Sequence, residues 1–226
     1  IRFIGGANTY SGAIILGANA TISSTGTGGT TFGGTINASS NGGQSLTIST
    51  STDDLTITGV IGGTYKPSSI SISATGVART LSIDQDLSST DNQTLTAAGG
   101  ITISGARTFT STSGTINTAS ALSGNNSFDI SGNAEIDGAI TGITTFSVSG
   151  TSNIGADVTT SSTQTYSGAV TLSANVDLTG TTVTTNGTVA GGSRNLTVTG
   201  NAVFGNGTTD TVTGVAVLSV TGNTTI

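Results

Sequence analysis

The sequence contains no cysteine and no histidine, and each absence excludes a class of site. Without cysteine, neither a disulfide framework nor a thiolate metal centre can form. Without histidine, there is no imidazole for a Ser/His triad, for general acid–base catalysis or for a zinc site of the usual kind. Methionine and tryptophan are also missing, and Pro67 is the one proline. We therefore expect no cofactor and no catalytic site of these kinds.

Charge is scarce as well. Charged residues make up 7% of the chain, and the formal net charge is −6. The five basic residues lie far apart in the sequence: Arg2, Lys66, Arg79, Arg107 and Arg194. Surfaces that bind nucleic acid concentrate positive charge, so we expect no nucleic-acid partner. No apolar run is longer than that of Ala13–Leu16, far short of the ~20 residues that a membrane-spanning helix needs, so we expect no membrane insertion by this segment.

What the chain has in quantity is glycine, 35 of 226 residues, and a recurring five-residue phrase. The phrase consists of a large apolar residue, a polar residue, an aliphatic residue, Ser or Thr, and Gly. Its copies are Leu55–Gly59, Ile101–Gly105, Phe128–Gly132, Phe146–Gly150, Leu196–Gly200 and Leu218–Gly222, with looser copies at Leu81–Ile83 and Val170–Leu172. Alternation of apolar and polar residues predicts strands with one inward face. The phrases recur about every 23 residues, a period typical of repeat proteins.

This period predicts an all-β fold, a parallel β-helix of about ten coils with roughly 23 residues each. Disorder is disfavoured, because disordered chains combine low hydrophobicity with high net charge. No composition shift divides the chain, so we expect residues 1–226 to form a single continuous shaft, a segment of a longer chain. Pro67 and its neighbours predict a longer corner rather than a domain linker.

A longer repeated segment indicates that the chain arose by duplication. Thr9–Asn19 matches Thr165–Asn175 closely, which makes Tyr10 and Tyr166 structural candidates. Phe128 and Phe146 occupy the repeated inward position and are expected in the core. Gly26–Gly29 and Gly33–Gly34 precede no helix, so we interpret them as corners and not as phosphate-binding loops.

Several of these segments resemble the repeats of large filamentous-haemagglutinin-like exoproteins and related autotransporter passengers of Gram-negative bacteria. The resemblance rests on Gly28–Ile36, Gln164–Leu172 and Leu196–Ala202, and it spans most of the chain. It implies a right-handed parallel β-helix that is exported through the outer membrane and displayed as a stalk or shed as a fibre, with adhesion as the usual role. The Asn-Pro motifs of the family's secretion domain are absent, so the segment is expected to be shaft.

The resulting hypothesis is the structural shaft of an exported, non-enzymatic bacterial cell-surface adhesin or extracellular fibre. Its expected location is the cell surface or the secreted fraction. Its expected partners are neighbouring coils of the same fibre through end-to-end self-association, and host or cell-surface glycans or proteins. Open strand edges at the ends of a stack can template such association.

The alternative is a polysaccharide-degrading lyase or glycosidase, because parallel β-helices also house such enzymes. Asp84 and Asp86, two residues apart on a strand, would share a face as acid–base catalysis on a glycosidic bond requires. Asp53 and Asp54 would face opposite sides. The competing structural interpretation is that these aspartates close turns through their own backbone.

Calcium is a further candidate ligand. Asn133–Gly138 places Glu135 and Asp137 on one strand face, and hard cations prefer several carboxylate oxygens. The competing interpretation is that these are solvated residues at an exposed edge, and no metal site is assigned from the sequence.

Overall fold

The computed structural model describes residues 2–3 and 5–226, and within them every regular element is a β-strand. Alternating β-branched residues favour strands, and Gly and Asn punctuate the corners. The strands are β1 Arg2–Phe3, β2 Asn8–Tyr10, β3 Ile14–Leu16, β4 Ala20–Ser24, β5 Thr30–Phe32, β6 Ile36–Ala38, β7 Leu46–Thr50, β8 Leu55–Ile57, β9 Ile70–Ala74, β10 Leu81–Ile83, β11 Leu87–Ser89, β12 Gln93–Ala97, β13 Ile101–Ile103, β14 Arg107–Thr118, β15 Leu122–Ser123, β16 Phe128–Ile136, β17 Ile140–Ile143, β18 Phe146–Val148, β19 Ser152–Ile154, β20 Val158–Thr160, β21 Thr163–Tyr166, β22 Val170–Leu172, β23 Val176–Thr185, β24 Val189–Ala190, β25 Leu196–Phe204, β26 Val212–Thr213, β27 Leu218–Val220 and β28 Thr224–Thr225.

The strands wind into a three-sided coil, and each strand pairs in parallel with the equivalent strand of the next coil. The first face contains β2, β5, β8, β10, β13, β15, β17, β20, the starts of β23 and β25, and β27. The second face contains β3, β6, β11, β18, β21 and β28, with the starts of β14 and β16 and the ends of β23 and β25. The third face contains β1, β4, β7, β9, β12, β19, β22, β24 and β26, with the ends of β14 and β16.

The register on the first face runs from Asn8 to Val220 in ten turns, so one turn averages about 21 residues. This confirms the prediction of an all-β fold of about ten stacked parallel coils. The predicted period of 23 residues is slightly long, because the repeated phrases do not all lie on one face. Leu55, Leu81 and Ile101 lie on the first face, Phe128 and Phe146 on the second, and Val170 on the third. Any face accepts the phrase, because each strand needs only inward apolar residues at alternate positions.

Residues 9–19 and residues 165–175, which match in sequence, likewise lie on different faces of the coil. Tyr10 lies on the first face and is half-buried, whereas Tyr166 lies on the second face and is buried. The two copies therefore share a strand–corner–strand pattern and not a position in the coil.

The inward side chains of all three faces meet in one core that follows the axis of the stack. On the second face, aromatic rings form a column: the ring centroids of Phe109 and Phe128 are 4.9 Å apart, those of Phe128 and Phe146 5.6 Å, and those of Phe146 and Tyr166 5.9 Å. Such contacts stabilise a core beyond the area they bury. The predicted core positions of Phe128 and Phe146 are confirmed.

Candidate functional sites

The proposed catalytic pair, Asp84 and Asp86, lies in the corner between β10 and β11 and not within a strand. The period-two argument for a shared face therefore does not apply. Asp84 accepts a hydrogen bond from Ser82 Oγ at 3.2 Å. Asp86 Oδ1 accepts one from the backbone N–H of Thr108 at 2.9 Å and lies 3.8 Å from Arg107 Nη1. One oxygen of Asp86 is thus engaged with the neighbouring coil.

Asp53 and Asp54 lie in the corner between β7 and β8, and one is buried while the other is exposed. Asp53 is fully buried, although it carries a carboxylate. Its Oδ2 accepts hydrogen bonds from Ser24 Oγ at 2.9 Å and Thr30 Oγ1 at 3.1 Å, and its Oδ1 accepts one from Gly29 N at 2.9 Å. A buried carboxylate is tolerated only with such donors around it. Asp54 is exposed, and its Oδ1 accepts a bond from Thr80 N at 2.8 Å.

Asp54 and Asp86 belong to a larger set of Asn and Asp residues with one shared role. Seven of the ten lie in corners, whereas Asn37, Asn133 and Asn201 lie within β6, β16 and β25. In each, the side-chain oxygen accepts a hydrogen bond from a backbone N–H one coil further along, at 2.8–3.0 Å. The expectation that Asp54 and Asp86 close turns through their own backbone is thus wrong. The backbone N–H that donates to each of these side chains belongs to the next coil. The set comprises Asn19, Asn37, Asn41, Asp54, Asp86, Asn92, Asn133, Asp157, Asn175 and Asn201.

Of the candidate calcium ligands, Glu135 lies on the third face near the end of β16, and Asp137 lies just after that strand ends at Ile136. Asn117 Nδ2 donates to Glu135 Oε2 at 3.3 Å and to Asp137 Oδ2 at 3.0 Å, so one amide bridges the two carboxylates. Within the described residues, no group of three or more His, Cys, Asp or Glu side chains is arranged to hold a metal ion. The same part of the chain contains no helix long and apolar enough to span a membrane.

One row of outward positions on the first face consists of hydroxyl side chains. Seven successive coils of the first face place a Ser or Thr at the same outward position: Thr9, Thr31, Thr56, Ser82, Thr102, Ser123 and Thr141. Coils stack at ~4.8 Å, so such side chains lie within reach of one another along the axis. These seven positions carry neither charge nor a large apolar group.

Among the described residues, one titratable group has a strongly shifted pKa, the Tyr166 hydroxyl, and it lies inside the coil. Burial raises the pKa of the Tyr166 hydroxyl far above its usual range. The hydroxyl donates to Gln164 Oε1 at 2.9 Å, and Gln164 Nε2 donates to the carbonyls of Val158 and Thr179, both at 2.8 Å. This buried network satisfies polar groups of the core, and none of its residues lines the hollow described below.

The feature that sequence reasoning missed is an apolar hollow of about 270 Å³ beside the second face. Ile15, Asn37, Ala38, Ser39, Thr64 and Tyr65 line it. Ile15 is 74% exposed and Tyr65 47% exposed, although both are large hydrophobic side chains. Ile15 lies in a run that alternation assigns to a strand, so its outward direction is visible only once the register is known. Tyr65 lies in the long corner that Pro67 predicts.

Two enlarged corners build one wall of this hollow. Residues 39–45 connect β6 to β7, and residues 62–69 lead into β9, whereas the matching corner before β12 has only residues 90–92. The two corners are tied together, because Gly42 N donates to Lys66 O at 2.8 Å and Ser68 N donates to Gln44 O at 2.7 Å. Thr90 N donates to Pro67 O at 2.9 Å, so the corner is joined to the following coil as well.

Comparisons with protein-family models, with curated proteins and with solved structures find no match to this chain. The resemblance to filamentous-haemagglutinin-like repeats therefore stays a prediction.

Proposed function

We propose that this chain is the structural shaft of an exported bacterial surface adhesin or extracellular fibre, and that it acts without catalysis. The observation that carries the proposal is the stack of ten turns, in which the inward apolar side chains of successive coils form one continuous core. Such a stack makes a stiff rod whose length grows with the number of coils, which is what a stalk needs.

The surface of the rod supports the same proposal. Seven successive outward positions of the first face are hydroxyl groups, and ten Asn and Asp side chains, seven of them in corners, form hydrogen bonds between coils. Asp86, one half of the alternative catalytic pair, is among these ten. The chemistry of the corners thus serves stacking, and it is compatible with long exposure to water.

Cell-surface display is tested by digesting intact cells that express the protein with bead-bound protease and identifying the released peptides by mass spectrometry. We expect peptides of this chain before lysis, together with those of known surface proteins. Release only after lysis, alongside cytoplasmic marker proteins, would contradict the proposal.

The enzymatic alternative has its own test. The purified chain is incubated with acidic and neutral polysaccharides, and the chain with Asp84→Asn and Asp86→Asn is incubated in parallel. We expect no turnover by either protein. Turnover that disappears in the double variant would establish the lyase or glycosidase and overturn the non-enzymatic shaft.

A further inference from the structure

We propose that the hollow formed by Ile15, Asn37, Ala38, Ser39, Thr64 and Tyr65 binds an N-acetylhexosamine unit of a neutral glycan. Isolated exposed hydrophobic residues are ordinary, but two large ones that share a concave site mark a binding surface. Ile15 and Tyr65 share this hollow, and it is apolar over most of its lining. Ligand sites typically combine such a floor with a few convergent polar groups.

The polar groups at the hollow are available to a ligand. Asn37 Oδ1 accepts the backbone N–H groups of Thr64 at 2.9 Å and Tyr65 at 3.4 Å, which holds the amide in one orientation. Within the part of the chain that the structure describes, Asn37 Nδ2, Thr64 Oγ1 and Tyr65 Oη make no hydrogen bond to protein. Two amide protons and two hydroxyls therefore remain for recognition.

The wall that presents Tyr65 is rigid. Ala38 N donates to Tyr65 O at 3.0 Å, and Lys66 N donates to Asn41 Oδ1 at 2.8 Å. The backbone of Tyr65 and of the residue after it is therefore bonded to the preceding coil. The turn begins at Gly62, which has a φ of +77° and where a Cβ would lie 2.0 Å from Ser88 O. A fixed loop loses little freedom when a ligand binds, which favours affinity.

The size of the hollow selects a small ligand over a protein. Six residues line it, whereas a stable protein interface takes about 20–30 residues on each side. None of the six carries a charge, so the site has no means of selecting a phosphate, a sulfate or an acidic sugar. A neutral ligand with both an apolar face and hydrogen-bonding groups fits these constraints.

An N-acetylhexosamine supplies the complementary groups. One face of a pyranose ring presents C–H groups that pack on an aromatic ring such as that of Tyr65. The acetamido methyl group packs on an aliphatic side chain such as Ile15, and the acetamido carbonyl accepts from the amide of Asn37. Ring hydroxyls pair with the hydroxyls of Thr64 and Tyr65. The inference takes only its biological setting from the proposed function, since binding in solution does not depend on surface display.

The test is calorimetric titration of the whole chain with N,N′,N″-triacetylchitotriose, and with cellotriose as the trisaccharide that lacks acetamido groups. We expect one triacetylchitotriose per chain and weaker binding of cellotriose. Tyr65→Ala and Ile15→Ser should each weaken triacetylchitotriose binding about tenfold or more, whereas Tyr65→Phe should retain most of it. Val77→Ser is the matched control, because Val77 is 91% exposed and lies on another corner.

Three results would overturn the assignment. They are no binding of triacetylchitotriose, equal binding by the Tyr65→Ala chain, and equal weakening by Val77→Ser. Sedimentation of the Tyr65→Ala chain provides a further check. A change of oligomeric state there, without a change in glycan binding, would make the hollow a contact between copies and not a glycan site. The surface-digestion experiment can fail while glycan binding stands, and the reverse, so the two proposals are separable.

Discussion

Neighbouring carboxylates in this chain have opposite environments, and the difference is set by which side of a corner each side chain takes. Asp53 turns inward to Ser24, Thr30 and Gly29, while Asp54 turns outward to the backbone of the next coil. The strand period does not set their directions, because both lie in the corner between β7 and β8. It does not predict that hydroxyl groups from two other strands surround Asp53, because those strands are 23 to 29 residues away.

Replacing Asp53 by alanine should destabilise the shaft by about 3 kcal/mol, since Ser24 Oγ and Gly29 N lose their acceptor and Thr30 Oγ1 keeps only Ser24 Oγ, at 2.8 Å. Asp54→Ala is the matched control at the adjacent position. It removes one exposed acceptor and should cost less than about 1 kcal/mol. Urea denaturation followed by circular dichroism compares the two midpoints. Equal midpoints for the two variants would show that the buried cluster contributes little to stability.

Tyr166 makes stability depend on alkaline pH. Folding raises the pKa of its hydroxyl, so the folded chain keeps a proton that the unfolded chain releases above about pH 10. The stabilisation is complete below pH 10 and falls as the pH rises, by about 1.4 kcal/mol per pH unit for one proton.

Tyr166→Phe should remove this part of the pH dependence. At neutral pH the variant should lose about 1 kcal/mol, because Gln164 Oε1 loses its donor. Between pH 10 and 11 its stability should decline less steeply than that of the unmodified chain. Urea midpoints at pH 8, 10 and 11 give the comparison. Parallel declines in both proteins would contradict a buried, protonated Tyr166.

At the scale of elements, the close approach of successive coils limits which residues a corner can contain. Gly12, Gly34 and Gly59 occupy the same corner of three successive coils, next to the paired residues Tyr10, Phe32 and Ile57. A Cβ on Gly34 would lie 1.8 Å from Gly12 O, and a Cβ on Gly59 would lie 1.9 Å from Gly34 O. Close approach of the backbones, rather than a special φ, demands glycine here.

Gly34→Ala should therefore separate two coils and destabilise the stack by about 2 kcal/mol or more. Gly17→Ala provides the control, since a Cβ there would meet no atom within 4 Å. Thermal unfolding of both variants measures the difference. Hydrogen exchange should also locate the damage at Gly33 N–H, which donates to Tyr10 O across the same corner. Similar stability of the two variants would mean that the corner can open without cost.

Sequence reasoning identified the corners but not their contents. Gly26–Gly29, Gly33–Gly34 and the segment around Pro67 are corners, as predicted from their composition. The Asn and Asp bonds between coils were not foreseen, because each joins residues 18 to 28 positions apart and depends on the register. The hollow beside Tyr65 has the same origin, since Ile15 and Tyr65 come from coils that no local pattern aligns.

At the scale of the molecule, the last coil exposes inward-facing apolar side chains that are buried in the inner coils. Leu218 is 42% exposed, whereas Leu196, its partner in the preceding coil, is 1% exposed. The strands β26, β27 and β28 pair on one side only in the described chain. An apolar end with free strand edges can pair with the first coil of another copy.

Residues 1–226 expressed by themselves should therefore associate end to end, whatever sequence flanks them in the natural protein. Sedimentation velocity should show species that grow with concentration, and Leu218→Lys should abolish them by placing a charge at the contact. Thr159→Lys adds the same charge to the middle of the first face and should leave association unchanged. A monodisperse monomer at all concentrations would exclude the end-to-end contact.

The residues themselves determined that this protein is all-β and coiled, because alternation of apolar and polar residues leaves a helix no continuous apolar side, and a recurrence near 20 residues requires stacking. Only the tertiary structure decided the face on which each repeat lies, the burial of Asp53, the use of Asp86 between coils, and the meeting of Ile15 with Tyr65. The physical reason is that corners differ in length from 18-residue turns to 26-residue turns. The sequence pattern therefore specifies that coils form. The lengths of the individual turns set the register between coils, and the register specifies which side chains become neighbours.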